Sequence, residues 1–160
     1  MPQQVTQEMK ARAEVCYGDE TCRERFSFLL EEKGLPSGLL TLQDIQECGY
    51  VKETGFVWLR HSNKKRDSYK FEDVVISFDD EITAFFEPNK IKNLTGVKAK
   101  GFMLWVTLTE IYVQEEESDS PLASITFKTL AGFSRSFPVS VFKVQTVSFH
   151  EEADETKDGN

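Results

Sequence analysis

The chain has 160 residues, the size of one ordinary domain, and carries 27 acidic against 19 basic side chains for a formal charge of −8. That balance excludes general nucleic-acid binding, which needs a basic footprint. A domain this long buries enough surface to fold without metal or disulfide staples.

In chain order, the N-terminus Met1-Pro2-Gln3-Gln4-Val5 has neither the basic nor the apolar segment of a signal peptide. Val5, Met9, Ala13 and Cys16 share one helical stripe, and Gly18 breaks it. Asp19 reads as an N-cap for a second amphipathic helix through Cys22, Phe26, Leu29 and Leu30. That helix ends at Gly34 as a left-handed cap, followed by Leu35 and Pro36. Thr41-Leu42-Gln43-Asp44 resembles a capping box, which predicts a helical turn over Leu42 to Cys48.

From Gly49 the pattern changes to strands and tight turns. Tyr50-Val51-Lys52 and Phe56-Val57-Trp58-Leu59-Arg60 flank Glu53-Thr54-Gly55, a hairpin with Gly where a positive φ is needed. Further strands are predicted at Tyr69 to Phe71, Val74 to Phe78, Ile82 to Glu87, Lys90 to Leu94, Phe102 to Val113, Leu122 to Thr129 and Phe133 to Val141. Asp79-Asp80, Pro88-Asn89 and Lys98 to Gly101 supply turns. Short connections favour an antiparallel meander, and eight or nine strands favour closure, which removes sticky edges. The expected fold is therefore mainly β (α+β), an antiparallel barrel or closed sandwich with N-terminal amphipathic helices. It comprises a single domain over 1–144, helical over 1–33 and β over 49–144. Residues 145–160 are expected to form an acidic disordered tail.

The run from Phe102 to Val113 predicts a strand whose first half has no wet face. Phe102, Leu104, Val106 and Leu108 fall on one side, and Met103 and Trp105 on the other. Together with thirteen Phe, this points to a large apolar interior that either fills itself or accommodates a greasy ligand. Trp58, Phe86, Met103, Trp105 and Phe127 are the candidate lining. Lys90, Lys92, Lys98 and Lys100 are the candidate contacts for anionic headgroups. An edge strand guarded by Lys is the alternative for these four.

Catalytic signatures are missing. Of the two His, His61 lies beside the basic loop Lys64-Lys65-Arg66 and His150 in the tail, and both are expected to be solvated. Neither has a metal-ligand partner at a useful spacing. Cys16, Cys22 and Cys48 form no CxxC and are expected to be reduced, small buried hydrophobes in an intracellular protein. Gly132-Phe133-Ser134-Arg135-Ser136 lacks the closing Gly of a nucleophile elbow. No catalytic residue, metal or cofactor is assigned.

Several motifs resemble a known family. They include Phe28-Leu29-Leu30-Glu31-Glu32-Lys33-Gly34-Leu35-Pro36-Ser37-Gly38-Leu39-Leu40, Asp44-Ile45-Gln46-Glu47-Cys48-Gly49-Tyr50, and Thr54-Gly55-Phe56-Val57-Trp58-Leu59. Lys92-Asn93-Leu94-Thr95-Gly96-Val97-Lys98-Ala99-Lys100 and Leu104-Trp105-Val106-Thr107-Leu108-Thr109-Glu110-Ile111-Tyr112 belong to the same set. Over about residues 5–144 the chain is similar to the plant proteins grouped as domain of unknown function five-three-eight. The resemblance implies a barrel-like β domain with an N-terminal helix and links to plant growth and stress responses. It also implies a distant likeness to lipid-binding bactericidal/permeability-increasing domains. Hydrolase activity has been suggested for the family, but no agreed catalytic residue exists to carry over.

The functional expectation is a non-enzymatic binding domain for a hydrophobic or amphipathic, lipid-like small molecule. It would be cytoplasmic, with a peripheral membrane contact. The rivals are a protein–protein interaction module built on the helices or the Glu115-Glu116-Glu117 loop, and a weak hydrolase or esterase using Ser134 or Ser37 with His61.

Overall fold

A computed structural model describes residues 5–40, 42–62, 69–71, 74–100, 104–114 and 123–142, with the backbone alone for 69–71. The tail after Phe142, the triple-Glu loop, the Lys64-Lys65-Arg66 loop, Thr41 and Met103 lie outside the described residues.

Antiparallel pairing runs along one path through eight strands. These are β1 (Glu14–Tyr17), β2 (Ile45–Val51), β3 (Phe56–His61), β5 (Val74–Glu87), β6 (Lys90–Lys100), β7 (Trp105–Val113), β8 (Ser124–Thr129) and β9 (Ser134–Pro138). A ninth strand, β4 (Tyr69–Phe71), pairs with β5 beside this path. The mainly β, antiparallel architecture with N-terminal helices is the one the sequence predicts.

Among the described residues β1 and β9, the two ends of the path, are not paired with each other. The gap is spanned by helix α2 (Asp19–Glu32) and two 3₁₀ turns, Ser37–Leu39 and Val139–Phe142. Helix α2 packs on β1, β2 and the first turn, which packs on the second. The sheet therefore curls around one apolar interior and is completed by helix and turns, not by a strand seam.

Local chemistry explains several boundaries. Helix α2 closes at Gly34 (φ +81°), and Leu35 N–H reaches back to the Leu30 carbonyl at 2.8 Å. Gly55 (φ +82°) makes the β2–β3 turn and Asn89 (φ +61°) the β5–β6 turn.

Other elements differ from expectation. Helix α1 covers only Gln7–Arg12, capped by the Thr6 hydroxyl on Met9 N–H at 3.1 Å. Residues 14–17, read as helix, form β1 because β2 offers them a hydrogen-bonding edge. Residues 45–48, read as a helical turn, open β2, and Asp44 at φ +58° blocks a helix there. Asp19 is not an N-cap; its Oδ1 accepts from Ile45 N–H at 3.0 Å and Arg23 at 2.9 Å, tying α2 to β2. That backbone hydrogen bond leads the causes that lower its pKa.

The expected Asp79-Asp80 turn is a bulge inside the continuous strand β5. The strand changes partner there, from β4 in its first half to β3 in its second.

The two faces of β3 are both covered, which is why Phe56-Val57-Trp58-Leu59 is apolar without alternation. Val57 and Leu59 face the interior. Phe56 and Trp58 face outward into a second cluster with Val51, covered by Val5 and Met9 of the α1 segment.

At the edge of that outer cluster lies Glu47, 7% exposed. Its carboxylate accepts from Trp58 Nε1 at 2.9 Å and Arg60 at 2.8 Å, and Lys10 approaches to 3.3 Å. Burial alone would raise its pKa, but the hydrogen bonds from Trp58 and Lys10 and the Arg60 charge outweigh it and lower it. A lowered folded value means this carboxylate stabilises the fold above the ordinary Glu range. That stabilisation is lost as pH falls below about 4.5 through the depressed value. Glu47→Gln is expected to cost about 1–3 kcal/mol at neutral pH and to flatten the acid limb of the stability curve. Urea unfolding from pH 7 to pH 3 checks this; parallel curves for the two proteins would refute it.

Candidate functional site

The interior encloses a cavity of about 610 Å³, within the range of small-molecule sites. Strands β3 and β5 to β9, helix α2 and the two 3₁₀ turns all contribute to its walls. The walls are almost wholly apolar. Phe86 stands against Phe26 of α2 (ring centroids 5.8 Å apart), and Phe127, Phe137 and Phe142 form a three-ring cluster at 5.5–6.1 Å. The contributions from Gly38, Thr129, Ser134 and Arg135 are the exceptions.

The cavity reaches the surface where its lining is exposed, at Leu104 (75%), Phe133 (71%), Ser134 and Arg135. The same end carries exposed Leu130 and Trp105, on the turn after β8 and at the start of β7. Leu130 N–H bonds the Thr107 carbonyl at 2.9 Å, so the β8–β9 turn lies against the first half of β7.

The predicted lining separates into groups. Phe86 and Phe127 line the cavity. Trp58 is fully buried but on the opposite face of the sheet, because α1 supplies an outer cover that spacing alone does not reveal. Trp105 points outward, opposite Lys100 in the β6–β7 register, with the Lys100 ammonium 5.7 Å from its ring centroid. Leu104, just before β7, is exposed and Trp105 is 43% exposed, so the expected two-sided cover is absent at these two positions; Phe102 and Met103 lie outside the described residues.

The four lysines do not form one patch. Lys90 pairs with Glu110 at 3.1 Å and Lys92 pairs with Glu87, at the β5–β6 turn. Lys98 and Lys100 lie at the other end of β6, about 30 Å along the strand from Lys90, beside the cavity mouth.

His61 is not solvated: it is 3% exposed, with Nε2 2.6 Å from the Asp79 carbonyl oxygen. It is absent from the cavity lining, whereas Ser134 belongs to it. The cavity therefore does not bring a Ser and a His together. Cys22 and Cys48 are buried and Cys16 half-buried, all with free thiols. Cys16 and Cys48 are cross-strand partners, and the Cys22 thiol reaches the Cys16 carbonyl at 3.3 Å. Burial is the leading cause that raises the pKa of Cys22 and Cys48, which disfavours the thiolate form of both. Among the described residues no cluster of His, Cys, Asp or Glu is placed to hold a metal ion, and no helix is long and apolar enough to cross a membrane.

Sequence reasoning overlooked Arg135. It lies opposite Phe127 across β8 and β9, and its guanidinium is 4.8 Å from the Phe137 ring centroid. The signal was available as the alternation Phe133, Arg135, Phe137 on one strand face.

No curated protein and no solved structure matches the chain significantly. The family described as "Protein of unknown function, DUF538" matches residues 26–143, which cover the second half of α2, the sheet from β2 to β9 and the residues that line the cavity. The chain belongs to the DUF538 family.

Proposed function

We propose that this protein binds a hydrophobic or amphipathic small molecule in its interior cavity, as a carrier or receptor and not as an enzyme. The observation that carries this reading is the open, apolar-lined cavity of about 610 Å³. Magnitudes favour occupancy over a packing defect. Sealed apolar voids cost about 24 cal/mol per Å³, so even the part of this space shut off from solvent is a large volume to leave unfilled. The entire stability of a domain is only about 5–15 kcal/mol. Water entering from the mouth meets walls that offer few hydrogen bonds, so it is readily displaced by apolar groups.

The rim supports loading from a lipid surface. Leu104, Trp105, Leu130 and Phe133 are exposed together at the mouth, with Lys100 over the Trp105 ring. Exposed aromatics beside cations suit the boundary between water and lipid.

The test is uptake. The purified protein is exposed to vesicles of mixed phospholipid, fatty acid and sterol, re-isolated, extracted with organic solvent and analysed by mass spectrometry. A hydrophobic molecule retained in near-stoichiometric amount is expected. A protein that retains nothing, either as purified or after exposure, would overturn the reading.

A further inference from the structure

We propose that the rim of the cavity mouth docks on an anionic lipid bilayer, with Trp105 and Leu130 entering its interface and Lys98 and Lys100 meeting its headgroups. This deepens the cavity reading and rests on it: the bilayer is the source from which the ligand is loaded.

Four large apolar side chains gather, exposed, at one end of the sheet. Leu104 and Trp105 stand where β7 begins, Leu130 and Phe133 in the β8–β9 turn. Backbone bonds brace that turn. Gly132 N–H reaches the Thr129 carbonyl at 3.0 Å, and Phe133 N–H reaches the Thr129 hydroxyl at 3.1 Å. Leu130 N–H donates to the carbonyl of Thr107, the register partner of Lys98. The patch therefore runs without a break from the turn across β7 to β6. A contiguous exposed apolar surface of this kind marks an interaction site.

The charges beside it carry one sign. Lys98 and Lys100 share the outer face of β6, because Ala99 between them is buried in the lining. Lys100 stands over Trp105, and among the described residues neither lysine pairs with a carboxylate. At the far end of the same strand Lys90 and Lys92 are neutralised by Glu110 and Glu87. The chain as a whole carries −8, so an anionic surface repels most of it. Charges more than about 8 Å away are largely screened at physiological salt, so the local sign decides which face can approach. Lysine stems lie along apolar surface with their ammonium groups among headgroups, and tryptophan suits the same boundary.

A second copy of the chain fits this patch less well. A two-fold contact sets the patch against itself and brings its lysines toward their own copies. A bilayer satisfies both halves of the patch. It also places the mouth on the reservoir, so a tail passes from lipid into an apolar cavity without crossing water.

The full chain is floated with vesicles of phosphatidylcholine, with and without phosphatidylserine, at low and high salt. Anionic vesicles are expected to bind at least about tenfold more tightly than neutral ones, and less tightly at high salt. K98Q/K100Q should lose that preference. W105S/L130S should bind both kinds at least about tenfold more weakly. None of these four side chains lines the cavity and none is fully buried, so both variants should fold, which urea unfolding checks. Lipid retained in the re-isolated protein is measured on the same samples. No vesicle binding by the parent, or binding unchanged in either variant, overturns the docking; the cavity reading stands if lipid is still retained. A parent that is dimeric in solution, with W105S/L130S monomeric, assigns the patch to a second copy and also overturns it. Docking through the patch with nothing retained sinks the cavity reading, and the loading role falls with it.

Discussion

Trp58→Ala is expected to lower folding stability by about 3–5 kcal/mol, the usual cost of removing a large buried ring. Trp58 is completely buried, beside Phe56 at a 6.2 Å ring separation, and Phe56 stands 5.2 Å from Phe85. Its Nε1–H is one of the donors that keep Glu47 ionised. On the neighbouring strand Gly49 is its register partner, and a Cβ there would land on the indole ring, so the site is shaped around this side chain. Relaxation cannot refill the space cheaply, because strands rather than loops form its floor. Trp58→Phe separates the two contributions: it keeps most of the ring and loses the N–H, so about 1–3 kcal/mol is expected. Urea unfolding of the three proteins measures both. Because Trp58 lies on the face away from the cavity, folded W58F should take up ligand as the parent does. Equal midpoints for W58A and the parent would show that the outer cluster does not hold the sheet.

How much of this was legible in the sequence depended on the range of the interaction involved. Gly34, Gly55 and Asn89 act within a few residues, and their chemistry is written locally. The β1–β2 pairing joins residues thirty or more apart, so nothing near Glu14–Tyr17 announces the edge that turns it from helix to strand. The Asp79-Asp80 bulge follows the same logic: a strand that changes partner looks, from within, like two strands and a turn. Two-sided burial does occur in this sheet, on β3 and not at the start of β7. Continuous apolar character marks β3, where α1 covers one face and the interior lies on the other. On β7 the similar run ends at an exposed Leu104 and Trp105, and the greasy surface there is the rim of the cavity. Arg135 was hidden by a motif. Read as a failed nucleophile elbow, Gly132 to Ser136 draws the eye to Ser134; read as a strand, it shows a cation between two phenylalanines.

Filling the cavity from within should separate binding from folding. Ala84 on β5 and Ala99 on β6 are small residues on the inner face, both in the lining. Ala84 lies opposite Val57, two residues from Phe86, which contacts α2; Ala99 lies opposite Val106, two residues from the exposed Leu104. They therefore mark two depths, one toward the helix and one toward the mouth. In a filled core, Ala→Phe at such positions forces strain worth about 1–3 kcal/mol. Here the new ring has open space to enter, and the added apolar contact is expected to leave stability unchanged or to raise it by about 0.5–2 kcal/mol. Ligand affinity should fall at least about tenfold, because the ring occupies volume the tail needs. The sign of the stability change is the discriminating quantity. A large loss in both A84F and A99F would mean that the interior is already packed, whereas stable variants that still bind would place the ligand elsewhere. If A99F blocks every amphiphile while A84F blocks only the longer tails, the tail enters beside Leu104 and runs inward toward Phe86.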